Sequence, residues 1–342
     1  MTGGSVRDDE RFLVTGALGC IGAWTVRQLV REGVPVVAFD LGRDPRRIAV
    51  IVEPDELARV EFVAGDITDL EALERALEEH AITNVIHLAA LQVPFSRADP
   101  PRGAAVNVTG TVNVFEAVKR RGAGMAPVVY TGSIGMYSPT DVDPGSGRLE
   151  EDAEAHPGNH YGVYKLANEG SARIYWADSG VPSVGLRPMT VYGAGRDQGM
   201  TSSPTAAIAA AVLGVPFQIG FGGRTLFQYA EDVAQTLILA SRSAPDGPRI
   251  YNLGGSQVSL DEWVDAIEAA VPGAAGLITV APTELPFPAD IAHDRLAELG
   301  DVPVTPFRDA IAATADIYRR LAADGRLVGA EHGVAVPAPT RP

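Results

Sequence analysis

Short runs of consecutive apolar residues alternate with longer amphipathic stretches through the first half of the chain. Arg11–Thr15 (RFLVT) reads as a buried strand, and Ala23, Val26, Leu29 and Val30 follow at helical spacing. Pro35–Asp40 (PVVAFD) and Val60–Asp66 are two further strands. Leu70, Leu73 and Leu77 mark one face of a helix whose other positions hold Glu74, Arg75, Glu78 and Glu79. Asn84–Ala90 (NVIHLAA) is a fourth strand, Ala105, Val108, Val112 and Phe115 line another helix, and Val128–Ser133 opens a fifth strand unit. Uninterrupted apolar strands between amphipathic helices predict a parallel sheet covered on both faces. The expected fold class is therefore α/β, a Rossmann-type doubly wound parallel sheet.

After Pro188 the pattern loosens, and Gly, Pro, Ser and Thr become frequent. Leu226–Leu239 returns to a strand-then-helix signal, and Ile250–Gly254 reads as one more short strand. The organisation this predicts is interleaved. Residues 1–10 are a flexible N-terminus. Residues 11–188 form the dinucleotide-binding domain, with 226–255 returning to it. Residues 189–225 and 256–325 form a smaller α/β substrate domain, and 326–342 a loose tail.

Composition narrows the function classes. The 342 residues are 46% hydrophobic and 21% charged, a globular balance. The net charge of −15 opposes binding to nucleic acid or to an anionic membrane surface. One cysteine, Cys20, excludes an intrachain disulfide, and no metal-ligand cluster is visible. The polar first ten residues carry no apolar leader, and the most apolar window, Thr205–Phe221, is too short to span a bilayer. A cytoplasmic protein is the expectation.

The chemistry starts at TGALGCIG. Gly16, Gly19 and Gly22 lie between the first strand and the first helix. Glycine there permits a tight turn and lets backbone approach a pyrophosphate, which the helix N-terminus attracts. Cys20 and Ile21 complete that cradle, Cys20 as a small side chain in the turn and not as a nucleophile. Asp40 ends the second strand, where a carboxylate accepts the ribose hydroxyls of adenosine and repels a 2′-phosphate. NAD is the expected cofactor and NADP the lesser alternative, which Arg43, Arg46 and Arg47 just downstream keep open. Tyr161 and Lys165 form Y-x3-K and share one helix face. A phenol titrating near about 10 needs roughly 4 kcal/mol to ionise at neutral pH, which nearby positive charge is expected to supply.

Together these motifs resemble the extended short-chain dehydrogenase/reductases, the NAD-dependent epimerase/dehydratase family. The resemblance covers about residues 11–320. It also includes Asp66–Ile67, HLAA at 87–90, Asn107 in VNVTGTVNV, TGSIGMY at 131–137, RPMTVYG at 187–193 and YNLGG at 251–255. It implies Tyr161 as general acid/base, Lys165 as the group that lowers its pKa and holds the nicotinamide ribose, and Ser133 as hydrogen-bond partner of the reacting oxygen. Asn107 would organise its helix and a proton-relay water. Asp66 and Ile67 would flank the adenine. Leu88, Ala89, Ala90, Pro188 and Val191 would line the cofactor cleft. A homodimer is implied, through the helices after strand four and around Tyr161, with Val163, Leu166 and Ile174 facing outward.

Departures from the family pattern bear on the substrate. The acid pair that sugar dehydratases of the family carry after Ser133 is replaced by Ile134 and Gly135. The Arg expected seven residues before Asp232 is Thr225, with Arg224 one step off, and TELPFPADI (283–291) has no Arg. A diphosphate needs a cationic clamp, so the pattern leans towards a dehydrogenase acting on a sugar, sugar acid or polyol. The alternative is a UDP-hexose type 4-epimerase with retained NAD. A non-catalytic NAD-binding regulator is a remote third reading, since Ser133, Tyr161 and Lys165 are all present. Expected substrate-binding residues are Gln92, Ser133, Arg196, Gln198, Thr201, Ser202, Arg224 and Gln228, with Phe95 a weaker candidate. The partner is a small carbohydrate-like molecule.

Overall fold

The computed structural model describes residues 9–335. Twelve strands form in chain order. They are β1 (Phe12–Thr15), β2 (Val36–Asp40), β3 (Glu61–Ala64), β4 (Asn84–His87), β5 (Val128–Thr131), β6 (Ser183–Arg187), β7 (Thr190–Tyr192), β8 (Phe217–Ile219), β9 (Arg224–Tyr229), β10 (Pro248–Asn252), β11 (Ser256–Ser259) and β12 (Ile278–Val280). Seven of them make one sheet in the order β10-β6-β5-β4-β1-β2-β3, with every pairing parallel. This is the Rossmann-type α/β fold, and the strand order reverses between the paired β1 and β4 at its centre, where such sheets bind ligands.

Helices cover both faces, as the apolar strands require. Leu13, Val37, Val85 and Val128 pack on one side with Phe115 and Leu77. Phe12, Val14, Ile86 and Val184 pack on the other with Trp24, Leu29 and Leu237. The second core runs on without a break into the C-terminal half. There Trp263 stacks on Phe227 at 4.0 Å and meets Tyr192 edge-on at 4.7 Å.

Helix ends follow local chemistry. Asp69 caps Leu70–Glu79 by accepting from the Ala72 amide, and Asn159 caps His160–Ser179 through the Gly162 amide. Gly180, left-handed at φ 66°, closes that long helix.

Three segments differ from the sequence reading, the first being residues 326–335 of the expected loose tail. Val334 there is buried in the second core, and His332 meets the Tyr318 ring at 5.1 Å. The remainder of the expected termini, 1–8 and 336–342, lies outside the described residues. The fourth strand stops at His87 and does not run on to Ala90. Its neighbour β1 ends at Thr15, whose hydroxyl takes the Leu88 and Ala89 amides and turns the chain along the sheet's upper edge. The strand within Leu226–Leu239, expected with the dinucleotide unit, joins β7 and β11 in a separate three-stranded sheet. Only the helix after it, Ala230–Ser241, and then β10 return to the large sheet and its covering layer.

Candidate active site

The floor of the site is the β1 turn. Gly16 has φ +67°, and a Cβ there would lie 2.6 Å from the Ala89 amide nitrogen. A Cβ on Gly22 would lie 2.3 Å from the Gly16 carbonyl. Only glycine fits either place, because the obstacle is backbone. Gly19 is looser, with φ −76°. The helix Cys20–Arg31 starts there with no side-chain cap and no acidic residue in its first turn. Its first amides therefore face an open cleft of about 670 Å³, within the range of a cofactor site. Gly16, Gly19, Cys20, Ile21, Gly22, Asp40, Asp66, Ile67, Leu88, Ala89 and Ala90 all border this cleft. Burial pushes the Cys20 thiol up to about 12, so it stays protonated and inert.

At the far end, Asp40 accepts the Leu18 amide at 3.0 Å and the Gly42 amide at 3.0 Å. Its carboxylate is thus fixed at the rim where an adenosine ribose would lie. Two of the three arginines just downstream are engaged by protein, while Arg43 is exposed. Arg47 pairs with Asp197 at 2.8 Å and donates to the Leu18 carbonyl, and Arg46 reaches the same carboxylate at 3.4 Å. Asp66 accepts from the Thr68 amide and hydroxyl, which shapes the adenine end of the cleft.

Ser133, Tyr161 and Lys165 gather beyond Thr131, at the other end. Ser133 stands in extended conformation after β5, and its Oγ accepts the Gly135 amide at 2.9 Å. Lys165 is buried, and its Nζ donates to the Thr131 carbonyl at 2.7 Å. The ammonium lies 5.6 Å from the centre of the Tyr161 ring. Burial pulls Lys165 down to about 8, against the opposing charge of Glu169. The Tyr161 phenol is raised by burial, while a hydrogen bond from Ser133 and the charge of Arg196 act the other way. Without a cofactor charge, burial wins and the phenol keeps its proton. The expected descent towards neutrality therefore needs a further positive group beside the ring. His87, held between Thr15 Oγ1 at 2.7 Å and Thr111 Oγ1 at 3.0 Å, is driven down to about 3 by burial and stays neutral. It packs and does not catalyse.

Asn107 lies in a π-helical turn, Ala105–Thr109, of the kind that marks functional sites. Its side chain makes three hydrogen bonds to protein. It accepts the Leu91 amide at 3.0 Å and donates to the Leu91 carbonyl at 3.0 Å and to Ser96 Oγ at 3.2 Å. These bonds hold the turn after β4 against the π-helical turn, and one lone pair of Asn107 Oδ1 is left over.

The expected substrate residues separate. Gln92, Gln198 and Arg196 border the cleft, with Phe95. Thr201 accepts from Arg196 at 3.2 Å, and the Ser202 hydroxyl closes the loop on the Gly199 carbonyl. Arg224 and Gln228 are corrections. Arg224 opens β9 in solvent and pairs with Glu262 at 3.3 Å. Gln228 is buried, accepting the Met189 amide and donating to the Leu253 carbonyl, both at 2.7 Å. Arg224 is the exposed first residue of β9, whereas the strand is buried from Thr225 onward and Gln228 lies inside that run. Pro188 and Val191 stand beneath Ser133 and in the core, the Pro188 carbonyl accepting the Ile134 amide. Phe287 was missed. A Cβ on Gly135 would meet Ser133, Tyr161 and Phe287 together, so this ring walls the reacting end. Nothing in its surrounding residues marked it. Among the described residues no group of three or more potential metal ligands is present, and His156, at H-x3-H spacing from His160, pairs with Asp141.

A glycine-walled dinucleotide cleft with Ser, Tyr and Lys gathered at one end defines an oxidoreductive enzyme of the extended short-chain type, with NAD as cofactor. The chain belongs to the NAD dependent epimerase/dehydratase family, whose model matches residues 12–254. The UDP-glucose 4-epimerase of Mycolicibacterium smegmatis is 31% identical over 321 residues, 90% of this chain and 98% of that relative. The structure of MoeE5 in complex with UDP-glucuronic acid and NAD has a TM-score of 0.73 at 28% identity, covering 91% of this chain and 99% of MoeE5. L-threonine dehydrogenase of Clostridium difficile has a TM-score of 0.77 at 20% identity, over 93% of this chain and 99% of the dehydrogenase, and shares the fold. No helix among the described residues is long and apolar enough to cross a membrane.

Proposed function

We propose that this protein inverts a secondary alcohol of a nucleotide-linked sugar, as an NAD-dependent epimerase. The observation that carries the chemistry is the meeting of Ser133, Tyr161 and Lys165 beyond the Thr131 end of the cleft. Bound NAD supplies the hydride chemistry, and the side chains handle the proton and the orientation. Tyr161 takes the proton from the substrate hydroxyl and later returns it. Ser133 Oγ hydrogen-bonds the same oxygen. Lys165, anchored on Thr131, places its positive charge beside the Tyr161 ring and favours the phenolate. Residues 11–188 with β10 serve the cofactor, and the segment around Phe287 and the loop at 193–202 serve the substrate. The nucleotide-sugar class is supported by the UDP-glucose 4-epimerase relative, matched along nearly its whole length.

One observation favours a second reading, a dehydrogenase of a free sugar, sugar acid or polyol. The position for a diphosphate-gripping Arg holds Thr225, buried and paired with Thr190 at 3.0 Å, and Arg224 beside it points to solvent. A thermal-shift series separates the two. Protein saturated with NAD is heated with UDP, dTDP, GDP or no addition. A folded-state ligand at 100 times its Kd adds about 2.7 kcal/mol, so a rise with one nucleotide supports the epimerase. A rise with NAD alone and none with any nucleotide overturns it for the second reading.

A further inference from the structure

The loop after β7 carries an arginine, Arg196, that makes no ion pair among the described residues. Arg196 makes one hydrogen bond among the described residues, from Nη2 to Thr201 Oγ1 at 3.2 Å, and its Nε is buried without a partner. The adjacent carboxylate, Asp197, is already held by Arg47 at 2.8 Å and Arg46 at 3.4 Å. The loop is not free to swing this side chain away. Trp24 Nε1 donates to the Ala194 carbonyl at 2.9 Å, tying the loop to the first helix. A Cβ on Gly195 would rest 3.5 Å from Arg47 Cβ. Gly199, at φ +102°, sits so close to Gln92 that a Cβ would fall 1.9 Å from Gln92 Oε1.

Arg196 shares the cleft with the first turn of the helix Cys20–Arg31, and its charge is felt at Cys20. That helix end is itself positive and lacks an acid or a side-chain cap. Two positive features on one cleft repel each other unless an anion lies between them, and then both stabilise it.

We propose that Arg196 is an ion-pair ligand for the diphosphate of the bound dinucleotide, and that the 193–202 loop closes the cofactor cleft against Gln92. This moves Arg196 out of the substrate-binding set. The proposal rests on NAD as cofactor and not on the nucleotide-sugar reading. A substrate diphosphate carries the same oxyanion chemistry, so the experiment has two arms.

Full-length protein stripped of cofactor is titrated calorimetrically with NAD and with ADP-ribose, as wild type, Arg196→Gln and Arg196→Lys. The NAD-saturated proteins are then titrated with UDP. Arg196→Gln is expected to weaken NAD and ADP-ribose alike, by about tenfold or more, with Arg196→Lys between it and wild type. Equal loss for ADP-ribose places the effect at the diphosphate and not at the nicotinamide. UDP titrations of wild type and variant are expected to match, including the case in which neither binds, which would count against the nucleotide-sugar reading alone. The cofactor-free variant is expected to melt no lower than wild type, because a half-buried guanidinium without an ion pair, its Nε unpartnered, has been removed. Unchanged NAD and ADP-ribose affinity overturns the proposal. So does a loss confined to UDP, or a melting temperature that falls equally with and without NAD. If Arg196→Gln does not fold, Arg196→Lys decides: NAD affinity equal to wild type overturns the proposal, and a weaker one with unchanged UDP binding supports it.

Discussion

Tyr161 stands between two opposing influences. Burial raises its pKa, while the Ser133 hydroxyl and the Arg196 charge oppose that rise. Its role as the proton carrier predicts that Tyr161→Phe lowers kcat by ~10²–10⁴-fold with the NAD-induced thermal shift retained. A loss below about tenfold would remove it from that role. Lys165 gives a separate test, with a sign fixed by linkage. Its folded pKa of about 8 is below the ordinary lysine value of 10.5. Above pH 8 the unfolded chain therefore binds a proton that the folded one has released, and stability rises with pH up to the unfolded value. Denaturant unfolding at pH 8 and pH 10 should show wild type gaining stability relative to Lys165→Met. A constant difference would mean that Lys165 is not buried as described. These two residues were legible in the sequence because i and i+4 spacing on a helix places them together whatever surrounds them. Arg224 and Gln228 were not, since a sequence does not say that β9 is covered on both faces from Thr225 onward.

At the scale of elements, the turn after β1 and the π-helical turn at Asn107 hold the cleft open in different ways. Gly22 allows the Gly16 carbonyl to come within 2.3 Å of where a Cβ would be. Gly22→Ala should therefore abolish the thermal rise with NAD, and an undiminished rise would refute the account of this turn. Asn107 satisfies both backbone groups of Leu91. Asn107→Ala leaves the Leu91 amide without its partner, while Ser96 Oγ still donates to the Leu91 carbonyl, and a loss of about 1–3 kcal/mol in chemical denaturation is expected. The glycines were readable because their demand comes from backbone geometry at one place. The π-turn was not, since Ala105, Val108, Val112 and Phe115 keep near-helical spacing while one extra residue in the turn aims Asn107 at Leu91. Equally hidden was the pairing of the first helix with the 193–202 loop. Trp24 and Ala194 are far apart in sequence, and only the closed fold brings them together.

For the whole molecule, the parallel sheet and its two covering layers were legible from the apolar strands. The exchange of strands between the two halves was not, because β9 and β10 look alike locally and differ only in their neighbours. We propose a homodimer through the helix His160–Ser179, where Val163 is 48% and Ile174 59% exposed. Leu166, expected to face outward with them, packs instead beside Ile134 and Met136. Val163→Asp should shift sedimentation from dimer to monomer, and a wild-type monomer would dismiss the dimer. The central claim is that one protein oxidises a carbinol of a nucleotide sugar and reduces it again before release. The direct measurement incubates the NAD-bound enzyme with UDP-glucose and with UDP-glucuronic acid, reading sugar configuration by proton NMR and NADH by absorbance in the same sample. An inverted sugar is expected to accumulate from one of them while NADH stays below the enzyme concentration. NADH rising beyond one equivalent of enzyme, or unaltered configuration in both sugars, would contradict the central claim.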